Sequence, residues 1–235
     1  MKNLNLCFAT LLFSAASVMA APCTSGSLQS YINLGSSGCG LGTTQFNNFV
    51  IAPGIAGATA INPNSINVTP GGGPFNYTFM FGLNQTANPG DLLQSLFRFS
   101  VTGSSLTQAS IAINPASSVL GDGAITGILD ICPNGMFAGN SPSGCGTASQ
   151  SAVAFLTSSD AMLFDSRSFS GARSFDVFVD LTADGGSSGT ASFVSATVGV
   201  SDVPEPSVIW LSGVGIALLG ALRHRRNLTQ KGESH

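Results

Sequence analysis

Between Ala21 and Asp202 the sequence has no lysine, no histidine and no glutamate. Nine aspartates and three arginines (Arg98, Arg167, Arg173) are the charged side chains of that stretch, and charged residues are 8% of the whole chain. Each gap excludes something. Without histidine there is no Ser–His–Asp or Cys–His arrangement and no imidazole metal site. Without a basic cluster nothing neutralises phosphates, so nucleic acid is not expected as a partner. Helical spacing is also missing from Gly35 up to the last thirty-odd residues.

What is present is glycine, hydroxyls, amides and short apolar runs. The chain holds 29 Gly and is 43% hydrophobic, which argues against disorder and for a core beneath an uncharged polar surface. Both ends read as targeting segments. They leave about 180 residues, enough for one domain. The dominant period is two. Phe75, Tyr77, Phe79 and Phe81 occupy alternate positions, and Phe97, Phe99 and Val101 alternate with Arg98, Ser100 and Thr102. Phe175, Val177, Val179 and Leu181 alternate with Ser174, Asp176, Phe178 and Asp180, and Val194, Ala196, Val198 and Val200 repeat the pattern. Further strands are expected over 45–52, 65–69, 108–113, 124–132 and 152–157, between Gly, Pro, Asn and Ser clusters. Short strands with one apolar face predict a mainly β protein, an antiparallel β-sandwich over 21–202 with a jelly-roll arrangement admissible. One short helix is expected over 27–34, where Leu28, Tyr31 and Ile32 share a face behind Ser27 as cap.

The start reads as a signal peptide over residues 1–20. Lys2 precedes an apolar run, and small residues lead to a cut between Ala20 and Ala21 by signal peptidase after passage through the general secretion machinery. An uncleaved anchor is the lesser alternative, because the apolar run is short for a span. Export leaves Cys23, Cys39, Cys132 and Cys145, and four cysteines allow three pairings. Locality favours Cys23–Cys39 and Cys132–Cys145, each closing a loop worth about 3 kcal/mol in chain entropy. A zinc site is the alternative, but the spacing is wrong for one.

The aspartates are the remaining candidates for chemistry. Asp176 and Asp180 share a strand face, but their spacing puts them roughly 13 Å apart, beyond the about 5–9.5 Å of glycosidase carboxylates. Asp160 and Asp165 diverge. Asp180 and Asp184 beside Gly185-Gly186, or Asp122 between Gly121 and Gly123, offer oxygen ligands for calcium; ordinary turn aspartates are the favoured reading. Phe178 falls on the outward phase. It is either an exposed ring fit for a sugar or, preferably, the mark of a sheet packed on both sides there. No cofactor and no catalytic residue is expected.

The last stretch carries the sharpest pattern. Val203-Pro204-Glu205-Pro206 precedes an apolar run from Val208 to Leu222. The cluster Arg223-His224-Arg225-Arg226 follows, with a polar tail over 227–235. As a helix, 208–222 reaches about 22 Å, short of the roughly 30 Å hydrocarbon layer. The expectation is a C-terminal transmembrane helix stopped by Arg223, Arg225 and Arg226, spanning by local thinning of the bilayer and placing the domain outside. The three-part layout over 203–226 resembles the PEP-CTERM sorting domain. That resemblance implies a substrate of exosortase, a membrane-embedded cysteine transpeptidase. It also implies transient residence in the inner membrane, then a cell-surface or extracellular location in exopolysaccharide or biofilm. The opening Cys23, Leu28–Gly35, Gly38-Cys39 and Phe46-Asn47-Asn48-Phe49 is similar to a recurrent ectodomain type of the same group, with no activity attached. The expected function is thus a non-catalytic surface or matrix protein. The alternatives are a carbohydrate-binding module and, less favoured, an Asp-based hydrolase.

Overall fold

The computed structural model describes residues 20–203 apart from Pro74 and Asn140. The elements in order are β1 (Gly26–Ser27), α1 (Leu28–Asn33), β2 (Cys39–Leu41), β3 (Thr44–Ile51), β4 (Thr59–Ala60), β5 (Asn67–Gly73) and β6 (Asn76–Ala87). Then come β7 (Leu92–Ile113), β8 (Ser118–Leu120), β9 (Ala124–Pro133), β10 (Gln150–Thr157), β11 (Ala161–Met162), β12 (Phe164–Asp184) and β13 (Thr190–Asp202). The protein is mainly β, as the period-two pattern predicts. The short helix is capped by Ser27, whose Oγ accepts the Ser30 N–H at 3.2 Å. Its Leu28 and Tyr31 are buried, and the Tyr31 hydroxyl donates to the Thr24 carbonyl at 2.7 Å.

All strands join one hydrogen-bonded sheet that folds over itself. The fold depends on two long strands. The first half of β7 pairs with β3 and with the second half of β12, which continues to β9, β10 and β11. The second half of β7 pairs with β13, which continues to β6, β5 and β1. β7 and β12 therefore belong to both layers of the sandwich. This differs from a jelly roll of two separate sheets. Sequence alternation splits β7 into two strands at Gly103-Ser104-Ser105; the structure uses that cluster as a bend within one strand. In β12, register shifts between Ser168 and Ser174 mark the crossing.

The core lies between the layers and is phenylalanine-rich. Phe79 and Phe81 of β6 meet Phe46 of β3 and Phe97 of β7, with ring centroids 4.7 Å apart for Phe46–Phe79 and 4.8 Å for Phe81–Phe97. Each such buried ring contributes about 1.5–3 kcal/mol by removal from water. Two expectations of the alternation fail locally. Phe75 lies outside β6 and is exposed, and Val194 is only partly buried while Phe193 and Ala196 are core residues. A register shift between Phe193 and Ser195 flips the phase there.

The sheet edge next to β10 is tied across the layers. Asp165 of β12 accepts the Val153 N–H of β10 at 2.9 Å, and its other oxygen takes the Ser166 N–H and Arg167.

The expected C-terminal transmembrane helix needs correcting. Residues 208–222 lie outside the described residues, and among the described residues no helix is long and apolar enough to cross a membrane. The one described helix has six residues. In sequence terms the 15 residues 208–222, taken as a helix, would reach about 22 Å against a bilayer core of roughly 30 Å. Insertion in the inner membrane by such a helix, and the transient inner-membrane partnership that went with it, lose that support, since no described helix can carry them.

Candidate functional site

A groove opens on the outer face of the layer made by β3, β7 and β12. One wall comes from Phe46-Asn47-Asn48-Phe49. In a regular strand, residues three apart face opposite sides. Here both phenylalanines are buried, because the register shifts between Asn47 and Val50. Asn48 absorbs the bulge at φ 55, a left-handed conformation that asparagine tolerates better than most side chains. Gly38 lets the chain pass close: a Cβ there would lie 2.1 Å from the Phe46 carbonyl oxygen. The bulge turns Asn47 and Asn48 toward the groove, and the Asn48 Nδ2 donates to Asn47 Oδ1 at 3.1 Å.

The other wall is the loop after β9. Cys132 and Cys145 are disulfide-bonded across it, as Cys23 and Cys39 are at the N-terminal end. The loop lies back on the sheet. Phe137 packs edge-on against Phe178 at 5.4 Å, in a small second core with Ala52 and Cys132. Phe178 is 1% exposed, so the sheet is packed on both sides there. The floor is Ser100 and Thr102 of β7 with Ser174, Phe175 and Asp176 of β12, and Gly135 and Met136 form the loop rim. The cavity measures about 230 Å³.

Asp176 joins floor to rim. Its carboxylate is buried and accepts Ser100 Oγ at 2.9 Å and the Phe137 N–H at 3.1 Å. Arg98 stands 3.9 Å away and donates to the Phe137 and Gly139 carbonyls. The groove therefore offers amides, hydroxyls and one satisfied carboxylate, with exposed Met136 as its apolar edge.

The other aspartates are engaged in structure. Both oxygens of Asp180 accept Gln94 Nε2 at 2.9 Å, and Oδ1 takes Thr182 Oγ1 at 2.8 Å. Asp130 accepts Ser151 Oγ. Burial, and secondarily the nearby Asp180 charge, push its carboxyl above the ordinary 3.8. Asp122 accepts the N–H and Oγ of both Ser187 and Ser188, at 2.7–3.2 Å. Those bonds, led by the Ser187 hydroxyl, hold it well below the carboxylate range. Asp184 closes its own turn through the Gly186 N–H at 2.8 Å. These are turn and strand aspartates, and among the described residues no group of His, Cys, Asp or Glu is placed to hold a metal ion.

Of the targeting residues, Ala20, Ala21 and Val203 are described. Pro204, Glu205, Pro206, Arg223, Arg225 and Arg226 lie outside the described residues. The first backbone bonds of the described fold involve Ala21, whose carbonyl accepts the Gly40 N–H at 2.8 Å. At the other end the Val203 N–H reaches the Ser105 carbonyl at 2.8 Å. Sequence reasoning gave no role to Asn47, Asn48 or Ser100. The only available signal was an Asn-Asn pair between two phenylalanines, whose spacing fits a strand only with a bulge.

Residues 202–226 match the family model described as the PEP-CTERM protein-sorting motif. No curated protein matches the chain. Among solved structures, the chain is similar to that of TmCBM61 in complex with beta-1,4-galactotriose. Identity is 10% and the TM-score 0.26, over 59% of this chain and 79% of that one. A likeness that remote carries no argument about this chain. The described residues hold no catalytic constellation, and the chain carries a PEP-CTERM sorting motif of the kind found in exosortase substrates.

Proposed function

We propose that the protein is exported, processed by exosortase at the Val203–Pro206 motif, and works outside the cell as a non-catalytic β-domain that binds a neutral surface polysaccharide. The observation that carries the binding half is the groove between Asn47-Asn48 and the Cys132–Cys145 loop. Sugars present paired hydroxyls beside apolar C–H faces. Asn47, Asn48, Ser100, Thr102 and Ser174 supply donors and acceptors for the first, and Met136 supplies contact for the second. No Lys or Arg lines the groove, so a neutral polymer suits it better than a polyanion. At about 230 Å³ it is smaller than a drug-sized pocket and fits a chain end or single ring.

The processing half is supported by the match over 202–226 and by the extent of the fold, which takes in Ala21 at one end and Val203 at the other. Mass spectrometry of the secreted protein tests it. The expected chain starts at Ala21 and ends near Pro204–Pro206; an intact end at His235 overturns exosortase processing. A glycan array followed by calorimetry tests the groove. The expected hit is a neutral glycan whose affinity falls in Asn47→Ala and Ser100→Ala. Silence across the array leaves a purely structural matrix protein.

A further inference from the structure

The strand that leads into the sorting motif ends on a buried carboxylate. Asp202 is 2% exposed. Its Oδ1 accepts the Ser105 N–H at 2.8 Å and Ser104 Oγ at 3.0 Å. Its Oδ2 accepts Thr43 Oγ1 at 3.2 Å, Thr44 Oγ1 at 3.3 Å and the Ser104 N–H at 3.4 Å. The backbone is held as well: the Asp202 N–H donates to the Phe75 carbonyl at 2.9 Å. Three segments far apart in sequence thus converge on one residue, two of them on its carboxylate and the third on its backbone. They are the turn before β3, the bend of β7 and the start of the β6 hairpin arm.

No cation lies within ion-pair distance of Asp202 among the described residues. A charge buried in that way is tolerated because hydroxyl and amide donors surround it. Such an arrangement exceeds what ending a strand requires, since a solvated residue would do that. The family match begins at this same residue, and Pro204 follows Val203 with no spacer in the sequence. An enzyme that cuts a peptide must draw extended chain from both sides of the bond into its cleft. Chain up to Val203 is fixed by backbone hydrogen bonds and is withheld from that cleft unless β13 comes apart.

We infer that Asp202 is a positioning residue for exosortase processing: its carboxylate locks the end of β13, so the motif leaves the folded body at a fixed point and the cut falls beyond Val203. This rests on the processing reading above. The latch stays in the mature protein and continues to close the bend of β7 after the tail is gone.

The test follows the full-length protein in its producing cells and reads the C-terminal mass and the processed fraction. Asp202→Ala is expected to give a lower processed fraction and ragged ends, some upstream of Val203. Val198→Ala, a buried truncation in the same strand, serves as the stability control. At a similar loss of thermal midpoint it should keep a single end. A Gly-Ser spacer between Val203 and Pro204 should scatter the ends while leaving the midpoint unchanged. Equal behaviour of Asp202→Ala and Val198→Ala, unaltered processing with the spacer, or a wild-type end upstream of Asp202 overturns the inference. A wild-type chain intact to His235 instead overturns the processing reading itself, and the two failures are distinguishable.

Discussion

The buried carboxylate of Asp176 accepts the backbone N–H of Phe137, 39 residues away, at 3.1 Å. That bond, the disulfide and Arg98 together hold the loop against the sheet. Asp176→Ala removes the acceptor for one buried and one half-buried donor and leaves Arg98 without its counter-charge. Breaking a pair of this kind costs about 3–5 kcal/mol when it is fully buried. Arg98 retains some contact with water, so the low end of that range is expected. Urea unfolding measures it as a lower midpoint at unchanged slope.

Replacing Cys132 and Cys145 together by serine returns about 3 kcal/mol of loop entropy to the unfolded chain. It also releases the rim of the groove. Hydrogen exchange should rise at the Phe137 N–H while the core strands stay protected. Glycan affinity should fall as well, since Gly135 and Met136 of the rim belong to that loop.

Asp130 and Asp122 respond to pH in opposite senses. The folded state holds Asp130 above its ordinary value, so this carboxyl ionises more easily when unfolded. Its contribution is most favourable below about 3.8 and is lost as pH rises through the folded value. Asp130→Asn should therefore raise the thermal midpoint at pH 7, with the gain vanishing in acid. The folded state holds Asp122 below its ordinary value. Its stabilisation is present above 3.8 and fades as pH falls. Asp122→Asn should lower the midpoint at pH 7, by an amount that shrinks as pH falls from about 3.8 toward pH 3. Melting curves from pH 3 to pH 8 (about the span over which carboxylates titrate) check both signs.

Asn48 carries the bulge at φ 55. Asn48→Gly should be nearly neutral in stability, whereas Asn48→Val forces a β-branched side chain into a left-handed backbone and costs about 1–3 kcal/mol. A destabilisation equal in both variants would mean the side chain, rather than the backbone, governs the bulge.

The legible parts of the molecule were those that local rules determine. Period-two alternation located β3, β6, β9, β10 and β12, and Ser27 with Leu28 and Tyr31 located the helix. Loop length favoured the two local disulfides that the structure contains. What was not legible depends on partners distant in sequence. Gly103-Ser104-Ser105 reads as a turn, and only the Asp202 carboxylate and the paired strands make it a bend inside β7. The groove was hidden because it needs the bulge at Asn48 and the loop held by Asp176 at the same place. Alternation alone could not reveal the inverted phase at Val194, since a bulge leaves composition unchanged.

The link from Asp165 to the Val153 N–H occupies a donor that would otherwise point outward from the rim of the sheet. An open rim of that kind is a template on which another chain can add a strand. The carboxylate occupies the position that an incoming strand's carbonyl would take, and Arg167 holds it there at 2.6 Å. The rim is thereby closed at that donor from within the chain, without the lysine that sheet edges commonly use.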